Sequence, residues 1–220
     1  MKLFPFLTLC IPPSKIKNRV LNLFNNKQID LSAYIGFSFI NVNNLVIDRN
    51  VRIKHFVRMN GIERIHLKEN SYIGNHNTLY CALAAGDHGH FTLGENSELV
   101  RQNALDLTSN ITIGNNVVVG GFGSQLWTHG FDVDRNRIQG EIIIGDNVYI
   151  GSSSIFNLGV SVCSNVSIGA GSVVCKSIKE CGLHAGAPAI KKNDKYLIVE
   201  TDSIKLIAKK EGSHFFEKKL

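Results

Sequence analysis

Residues 142–176 read IIIGDNVYIGSSSIFNLGVSVCSNVSIGAGSVVCK, and every sixth residue from Ile144 to Val174 is apolar. These positions are Ile144, Ile150, Phe156, Val162, Ile168 and Val174. A period of six fits neither an α-helix, whose period is about 3.6 residues, nor a strand with simple alternation. It is typical of a parallel β-helix, in which each hexapeptide forms one side of a triangular coil and its aliphatic residue points inward.

The same period continues upstream to Ile35, in frames that shift wherever the pattern is interrupted. Three hexapeptides complete one turn, so the sequence predicts an all-β fold with about seven triangular coils. Two long interruptions, at residues 80–92 and 126–143, predict loops that leave the column. Loops inserted in a regular solenoid usually carry the function, so these two loops are the expected location of the site.

Both ends of the repeat predict separate structure. Ser14, which follows two prolines, predicts the N-cap of a short helix whose apolar residues share one face. Residues 195–210 predict a C-terminal helix, or a strand and a helix, that covers the open end of the column. The predicted layout is an N-terminal amphipathic extension over 1–30, a β-helix domain over 31–192 and a C-terminal extension over 193–220.

The composition of the 220-residue chain allows a sizeable core, because 44% of the residues are apolar and 19% are charged. These proportions exclude wholesale disorder, and no apolar run approaches the roughly 20 residues that span a bilayer. The net charge of +6 lies mainly at the two ends of the chain. Basic ends favour an anionic small molecule or a membrane surface over nucleic acid, with merely solvated tails as the alternative. We therefore expect no nucleic-acid partner.

The five cysteines are odd in number and widely spaced, and they form no CxxC motif. This pattern favours a reducing compartment and argues against a disulfide framework or a Cys-rich zinc site. The apolar run 3–11 is short for a secretory signal and has no small-residue cleavage site after it. It fits contact with a membrane surface, or packing on the column or on a neighbouring subunit. The expected location is the cytoplasm, with the inner face of the membrane, touched through residues 1–30, as the alternative.

Three motifs resemble those of the hexapeptide-repeat acyltransferases: IGDNVYIG at 144–151, VSIGAGSVV at 166–174 and GAPAIKK at 186–192. In the last motif, Ala187 stands where the family usually has Asn. The resemblance covers residues 35–192. It implies a left-handed parallel β-helix, a homotrimer, and acyl transfer from acetyl-CoA to a hydroxyl or an amine.

The sequence THGFD at residues 128–132 is similar to a segment of the sugar O-acetyltransferases of the maltose, galactoside and polysaccharide type. This likeness implies that His129 is the catalytic base, since a neutral histidine can accept the proton of the attacking hydroxyl. Asp132 would be the second catalytic residue, which orients the imidazole and stabilises its charged form. Asp134 and Asp106 are the alternatives for that role.

The resemblance also implies a set of acetyl-CoA contacts on the late coils. The matching cofactor-binding positions are Gly151, Ser153, Ala170, Gly171, Lys176, Lys191 and Lys192. The lysines would hold phosphates, although lysines near a chain end are usually only solvated. Cys175 stands where the family commonly has Thr, which leaves one expected hydrogen bond open.

Trp127, His88 and His90 are the predicted contacts to a carbohydrate acceptor, although Trp127 would look the same as a packed loop aromatic. The DHGH sequence at 87–90 also resembles a metal-binding fragment, because the gamma-class carbonic anhydrases share this β-helix and use three histidines. A third ligand would be needed, and His76 and His129 are the nearby candidates. A structural loop is the remaining interpretation, and we expect no metal.

Together these features predict an O-acetyltransferase that moves an acetyl group from acetyl-CoA to a sugar hydroxyl, on a cell-surface polysaccharide or its precursor. N-acetylation of an amino sugar, free or nucleotide-linked, is the first alternative. A zinc-binding or non-catalytic β-helix protein is the second. The inserted loop with its histidine and the GAPAIKK ending favour an enzyme, since a scaffold needs neither.

Overall fold

The computed structural model describes residues 3–81 and 89–194 in full, and the backbone of two further strands, Ile204–Lys210 and Ser213–Lys218. Helices α1 (Leu3–Cys10) and α2 (Lys15–Leu21) precede the strands. The strands are β1 (Lys27–Ile29), β2 (Tyr34–Ile35), β3 (Phe39–Ile47), β4 (Arg52–Ile53), β5 (Arg58–Leu67), β6 (Tyr72–Ile73), β7 (Thr78–Tyr80), β8 (His90–Leu93), β9 (Glu98–Leu99), β10 (Ala104–Asp106), β11 (Ile111–Ile113), β12 (Val118–Val119), β13 (Gln125–Leu126), β14 (His129–Phe131), β15 (Arg137–Gln139), β16 (Ile142–Ile144), β17 (Tyr149–Ile150), β18 (Ile155–Phe156), β19 (Ser161–Val162), β20 (Val166–Ile168), β21 (Val173–Val174), β22 (Gly182–Ala185), β23 (Ile190–Asn193), β24 (Ile204–Lys210) and β25 (Ser213–Lys218).

The strands form a triangular column whose three faces are parallel sheets. The first face contains β1, the ends of β3 and β5, and then β8, β11, β16 and β19. The second face runs β2, β4, β6, β9, β12, β17, β20 and β22. The third face contains the starts of β3 and β5, and then β7, β10, β13, β18 and β21. Because the chain visits the faces in this order in each turn, the predicted parallel β-helix and its number of coils are confirmed.

Three corners join these faces. The first corner connects the first face to the second, and it includes residues 48–51 and 145–148. The second corner connects the second face to the third, and the third corner connects the third face back to the first. Both long interruptions of the period, after β7 and after β13, lie at the third corner. The strands that flank the two insertions therefore end and begin at the same edge of the column.

The core of the column consists of the inward residues that the period predicts. Ile144, Ile150, Phe156, Val162, Ile168 and Val174 are all buried, with exposed fractions of at most 2%. The upstream frame is wrong at Asn41 and Gln125, which are only half-buried. Ile40, which pairs with the inward Met59, takes the inward place beside Asn41, and Leu126 takes the inward place beside Gln125. Each buried aliphatic side chain contributes about 1.5–3 kcal/mol of transfer free energy.

The N-terminal end of the column is closed by the two helices. The predicted N-cap is confirmed, since the Ser14 hydroxyl accepts a hydrogen bond from the Lys17 amide at 3.0 Å. Helix α1, which covers most of the apolar run, buries Phe4 and Thr8 against the column and leaves Leu3 and Phe6 exposed. The sequence predicted one short helix here, and the structure has two.

Helix α2 bonds to the free edge of the first coil through polar side chains. The buried Lys17 Nζ donates to the carbonyls of Thr8 (2.8 Å), Ile35 (3.0 Å) and Gly36 (3.0 Å). Burial lowers the pKa of Lys17 to about 8. Asn18 Nδ2 donates to two further carbonyls, those of Asp30 and Ala33. Asn22 pairs with both the amide and the carbonyl of Ile29. These bonds satisfy backbone groups that no strand of the described column reaches.

The C-terminal end departs from the sequence prediction. Strand β23 turns back antiparallel on β22 and ends the parallel ladder of the second face. Where residues 204–218 are described, the predicted C-terminal helical extension is wrong, because β24 and β25 are paired antiparallel strands. The isoleucines of β24 and the phenylalanines of β25 favour strands. The first part of the prediction, residues 195–203, lies outside the described residues.

Candidate active site

The second interruption forms a β-hairpin that projects from the third corner. Strands β14 and β15 pair antiparallel, with His129 opposite Gln139 and Phe131 opposite Arg137. The Gly140 amide donates to the Thr128 carbonyl at 2.9 Å, which closes the base of the hairpin. The predicted loop at 126–143 is therefore an ordered hairpin whose base is anchored to the column.

Two glycines let the base of the hairpin pack on the next coil. A Cβ atom at Gly140 would lie 2.7 Å from the Cα of Gly159, closer than real Cβ contacts allow. A Cβ at Gly130 would lie 3.2 Å from Leu158 Cδ2. Because only glycine permits this approach at Gly140, the sequence fixes the hairpin base, and with it His129, against residues 158–159.

The imidazole of His129 meets the carboxylate of Asp106. The distance from His129 Nδ1 to Asp106 Oδ2 is 2.6 Å. Asp106 ends β10, one coil below β13, where Leu105 pairs with Leu126. The side chain of Asp106 is fully buried, and that of His129 is 19% exposed. The pair therefore joins a buried anion to an imidazole that solvent can reach.

Asp106 is surrounded by hydrogen-bond donors. Its Oδ1 accepts from the Thr108 hydroxyl at 2.8 Å and the Thr108 amide at 3.3 Å. Its Oδ2 accepts from the Thr128 amide at 3.0 Å and the His129 amide at 3.1 Å, while the Thr128 hydroxyl donates to the main-chain carbonyl of Asp106 at 2.8 Å. Because these backbone and hydroxyl groups all donate, the carboxylate acts as an acceptor, and His129 Nδ1 must carry its proton. The lone pair of the imidazole is thereby assigned to Nε2.

The negative charge of Asp106 also reaches the neighbouring strand. Tyr80 ends β7 and pairs with Asp106 in the parallel ladder. Burial and, second, the Asp106 charge raise the pKa of the Tyr80 phenol. Tyr80 is therefore held in its neutral form, with a hydroxyl that can donate, on the coil below the Asp106–His129 pair.

The prediction that Asp132 orients His129 requires correction. The Asp132 carboxylate is exposed and accepts from the amides of Asp134 (2.9 Å) and Asn136 (2.8 Å) and from Asn136 Nδ2 (2.9 Å). The bonds from Asn136 hold the pKa of Asp132 below its usual value. Asp132 thus shapes the hairpin turn, while Asp106, the alternative from sequence, contacts the imidazole. The ladder pairs Leu105 with Leu126 and so places Asp106 one coil below Trp127, a register that the hexapeptide frame missed by one residue at Gln125.

The predicted acceptor contacts are not all gathered at this pair. Trp127 follows β13, is half-buried, and donates from Nε1 to Gln125 Oε1 at 3.0 Å. His90 is exposed at the start of β8, where its amide donates to Asn110 Oδ1 at 3.0 Å. His88 lies outside the described residues. Within the described ranges, no three His, Cys, Asp or Glu side chains come together as metal ligands.

Four of the predicted acetyl-CoA contacts lie together at the second corner. Gly151 and Ser153 follow β17, and Ala170 and Gly171 follow β20 on the next coil. A Cβ at Gly151 would lie 2.4 Å from the Ala170 amide nitrogen, so a glycine is needed where the two coils meet. Ser153 and Gly171 both have positive φ, at 59° and 68°. Their backbones are thus brought into one exposed row.

This row is separated from His129 within one chain. Ser153 and Asn157 bound one strand segment of the third face, and four residues of strand span roughly 13 Å. The hairpin that carries His129 leaves the adjacent coil at the Asn157 end of that segment, since the Trp127 amide bonds to the Phe156 carbonyl. The two predicted halves of the site therefore lie at opposite edges of the third face.

The predicted lysine contacts differ in their surroundings. Lys191 bonds Glu180 at 2.8 Å and Asp194 at 2.7 Å, and these carboxylates raise its pKa. Its charge is therefore already balanced within the chain. Lys176 and Lys192 are exposed, as is Cys175.

Comparison with known proteins gives matches to both the repeat and the fold. Residues 141–176 match the family model described as the hexapeptide repeat of succinyl-transferase. The chain carries a hexapeptide repeat. It is also 40% identical over 84 residues to galactoside O-acetyltransferase of Escherichia coli K12, a match that covers 36% of this chain and 41% of that protein. The match thus spans about two fifths of the relative's length, and the resemblance to hexapeptide-repeat acyltransferases is confirmed.

Solved structures show the same fold. The polysialic acid O-acetyltransferase OatWY matches with a TM-score of 0.61 at 18% identity, over 80% of this chain and 88% of that one. A galactoside acetyltransferase in complex with coenzyme A matches with a TM-score of 0.50 at 24% identity, over 62% and 66% of the two chains. The predicted left-handed parallel β-helix is confirmed. In the described part of the hexapeptide-repeat chain, no helix has the length and apolar character needed to cross a membrane.

Proposed function

We propose that the chain transfers an acetyl group from acetyl-CoA to a sugar hydroxyl, with His129 as the general base. The observation that carries this proposal is the 2.6 Å contact between His129 Nδ1 and the buried Asp106 carboxylate. It fixes the proton on Nδ1 and leaves the lone pair of Nε2 free to accept the hydroxyl proton. The names of the galactoside and polysialic acid O-acetyltransferases support a sugar as the acceptor.

The chemistry follows from the arrangement of these two side chains. The sugar oxygen attacks the thioester carbonyl while Nε2 takes its proton, because a sugar hydroxyl is too weak an acid to ionise alone. Asp106 stabilises the imidazolium that forms, through the Nδ1–H bond. When the carbon–sulfur bond breaks, Nε2 returns the proton to the thiolate of CoA. Every proton is therefore accounted for without a metal ion.

The donor is assigned to the second corner, at Gly151, Ser153, Ala170 and Gly171. Ser153, Ala170 and Gly171 are exposed there, Gly151 is buried between the coils, and the exposed Lys176 and Lys192 supply positive charge for phosphates. Lys191 is the weakest member of this set, because two carboxylates already bind it. Since the donor row and His129 lie at opposite edges of one face, a homotrimer that places His129 of one chain against the donor row of a neighbour fits the geometry.

The cytoplasm is the proposed location, since Cys10, Cys163, Cys175 and Cys181 are free thiols among the described residues. Free thiols persist where the environment is reducing. Acetyl-CoA and sugar precursors are also both present in the cytoplasm.

The proposal is tested by incubating the purified full chain with acetyl-CoA and a panel of neutral and acidic saccharides while CoA thiol release is measured. Release that depends on a saccharide, and that yields an acetyl ester in the product by mass spectrometry, is the expected result. Acetylation at nitrogen instead would favour the amino-sugar alternative. Thiol release that no saccharide stimulates would contradict the proposal. Light scattering should give the mass of three chains, and a fully active monomer would contradict the shared site.

A further inference from the structure

The first and second corners of the column have the same backbone conformation. At each turn one residue takes a left-handed conformation, and its amide donates to a carbonyl of the coil below. At the first corner the Asn70 amide bonds the Arg49 carbonyl at 3.1 Å, with a φ of 58°. At the second corner the His76 amide bonds the His55 carbonyl at 3.3 Å, with a φ of 60°. The two corners therefore impose the same demand on the residues that occupy them.

The first corner meets this demand with asparagine. The left-handed residues there are Asn50, Asn70, Asn96, Asn116, Asn147 and Asn165. Asparagine tolerates positive φ better than other residues with a side chain. Neighbouring amides also bond along the stack, as Asn147 does to Asn165 at 3.2 Å. Asparagine at this position thus stabilises each coil.

The second corner fills the equivalent positions with large side chains in its lower coils. They are Phe56, His76, Gln102 and Phe122, with φ values of 59°, 60°, 55° and 66°. Phenylalanine in this conformation is a backbone outlier, and strain of this kind concentrates at functional positions. The rings are not buried to compensate, since Phe56 is 63% exposed and Phe122 is 51% exposed. Folding of the column therefore does not account for these residues.

The exposed rings are held in fixed positions along the edge. The rings of Phe56 and His76 are stacked, with centroids 5.2 Å apart and planes 16° apart. The Arg101 guanidinium lies over the Phe122 ring, 4.0 Å from its centroid. We call Phe56, His76, Arg101 and Phe122 the aromatic ridge. Phe56 and His76 lie on adjacent coils, which are about 4.8 Å apart. Gln102 separates His76 from Phe122, so the ridge extends over four coils, which suits a ligand extended along the column.

The charge along this edge has one sign. The second-corner segments 54–57, 74–77, 100–103 and 120–124 contain Lys54 and Arg101, together with two histidines, and no Asp or Glu. Arginine binds carboxylates through two parallel hydrogen bonds, and aromatic faces pack against apolar surfaces. A ligand that offers both carboxylates and flat apolar faces matches the ridge.

The aromatic ridge continues directly into the proposed donor row. The Ser153 hydroxyl donates to the Phe122 carbonyl at 2.9 Å, and Ser153 occupies the same corner one coil above Phe122. The corner therefore changes from large rings to Ser153 and Gly171 where the acetyl donor is placed. A ligand seated on the ridge lies in line with that donor.

We propose that the aromatic ridge docks an extended, carboxylate-bearing glycan, one unit of which is the acetyl acceptor. This inference rests on the proposed function and names its substrate class, an acidic polymer. Sugar rings pack by their apolar faces on Phe56, His76 and Phe122, and Arg101 pairs with the carboxylates between them. At this corner, aromatic residues thus replace the asparagine that suits the backbone conformation, and their exposed rings can contact the glycan.

The test replaces the rings with the residue that the first corner uses in the same conformation. The double variant Phe56→Asn/Phe122→Asn should fold with an unchanged or higher Tm, because asparagine suits this backbone. Binding of full-length protein to polysialic acid and hyaluronan is measured by affinity electrophoresis, with dextran as the neutral polymer. The expected loss of affinity for the acidic polymers is about tenfold, since two ring contacts are removed. Dextran in the gel should retard the wild type and the double variant only weakly.

Arginine variants give a matched control for charge. Arg101→Gln should weaken binding to the acidic polymers, and Arg49→Gln, at the first corner and paired with Glu69, should not. Among glycans that the wild type acetylates, the ratio of kcat/KM for long over short acidic acceptors should fall in the double variant. An equal effect of Arg49→Gln and Arg101→Gln would overturn the assignment, because it would show a general effect of net charge.

Three further results would overturn the docking proposal. The first is full retention of acidic-polymer binding by the double variant. The second is loss of the oligomer by that variant in light scattering, which would make the ridge a contact between copies of the chain. The third is binding to phosphatidylserine vesicles, but not to the glycans, that depends on the ridge. Failure of the proposed function is distinct: glycan binding would depend on the ridge, but no glycan would be acetylated.

Discussion

Among the described residues, two histidine–aspartate pairs link adjacent coils of the column, and one of them has the surroundings of an active site. His129 Nδ1 lies 2.6 Å from Asp106 at the third corner, and His66 Nε2 lies 3.0 Å from Asp48 on the first face. His66 and Asp48 are 36% and 39% exposed, whereas Asp106 is fully buried. In a parallel β-helix, residues one coil apart stand side by side, so such pairs form readily. A short distance between His and Asp is therefore weak evidence of function here.

The difference lies in what surrounds the carboxylate. Asp106 accepts hydrogen bonds from Thr108 and Thr128 as well as from His129, and both threonines are buried. A buried and fully bonded carboxylate has one orientation, which it transmits to the imidazole. Asp48 and His66 face water, where an ion pair contributes at most about 1 kcal/mol. The contrast teaches that burial and a complete set of donors, rather than proximity, distinguish a positioned base.

The largest expected effect comes from removing the base itself. His129→Ala should lower kcat by about 10²–10⁴-fold, because no other group at Asp106 can accept the hydroxyl proton. The apparent KM for acetyl-CoA and the Tm should change little. The measurement is steady-state kinetics with the best acceptor from the saccharide panel. A rate within threefold of wild type would place the base elsewhere, with His90 as the next candidate.

The next effect should come from the buried carboxylate. Asp106→Asn should lower kcat by about 10²-fold, since an amide nitrogen cannot accept the Nδ1–H bond and the wrong tautomer becomes favoured. It should also lower the free energy of unfolding by about 1–3 kcal/mol, because buried donors lose their acceptor. Denaturant unfolding and kinetics are measured on the same protein. Normal activity in a stable variant would contradict the assigned tautomer.

A smaller effect is expected at the hairpin turn. Asp132→Asn keeps one carbonyl oxygen for the turn amides, so kcat should stay within about threefold of wild type. The comparison with Asp106→Asn separates the two carboxylates that the sequence left as alternatives. A larger loss for Asp132→Asn than for Asp106→Asn would restore Asp132 as the catalytic partner.

The smallest effect is expected at the exposed pair, which serves as the control for the buried one. His66→Ala should leave kcat unchanged and alter the free energy of unfolding by less than about 1 kcal/mol. The same kinetic assay and denaturant titration apply. A loss of activity that matched His129→Ala would end the distinction between buried and exposed pairs.

The fold was accessible from sequence because a solenoid repeats one local rule many times. The inward positions from Ile144 to Val174 follow a single frame and are all buried. The frame failed at Asn41 and Gln125 because the length of the second corner varies. The step from Ile35 to the inward Ile40 is one residue shorter than the period, and the step from Val119 to the inward Leu126 is one residue longer. The C-terminal extension failed for a different reason, since a short apolar segment fits a helix or a strand equally well without its partner strand.

The candidate site was accessible only in part. The break in the period located His129, and residue type made it a candidate base. The partner carboxylate depended on which coil neighbours the hairpin base, a relation of three dimensions that spacing alone left open between Asp132, Asp134 and Asp106. The aromatic ridge was also missed. Phe56 and Phe122 are ordinary residues in sequence, and only their positive φ at a corner where asparagine is the rule shows that they are unusual.

The bonds that close the N-terminal end carry a consequence for how such a column can change. Lys17, Asn18 and Asn22 bond to main-chain groups of the first coil, at Ile29, Asp30, Ala33, Ile35 and Gly36. Main-chain groups recur with the same geometry at every coil, whatever the side chains. The hydrogen bonds from helix α2 therefore depend on the main chain of the first coil and not on its side chains. Whole coils can be gained or lost above it by duplication or deletion, and the same helix would still fit the new lowest rung.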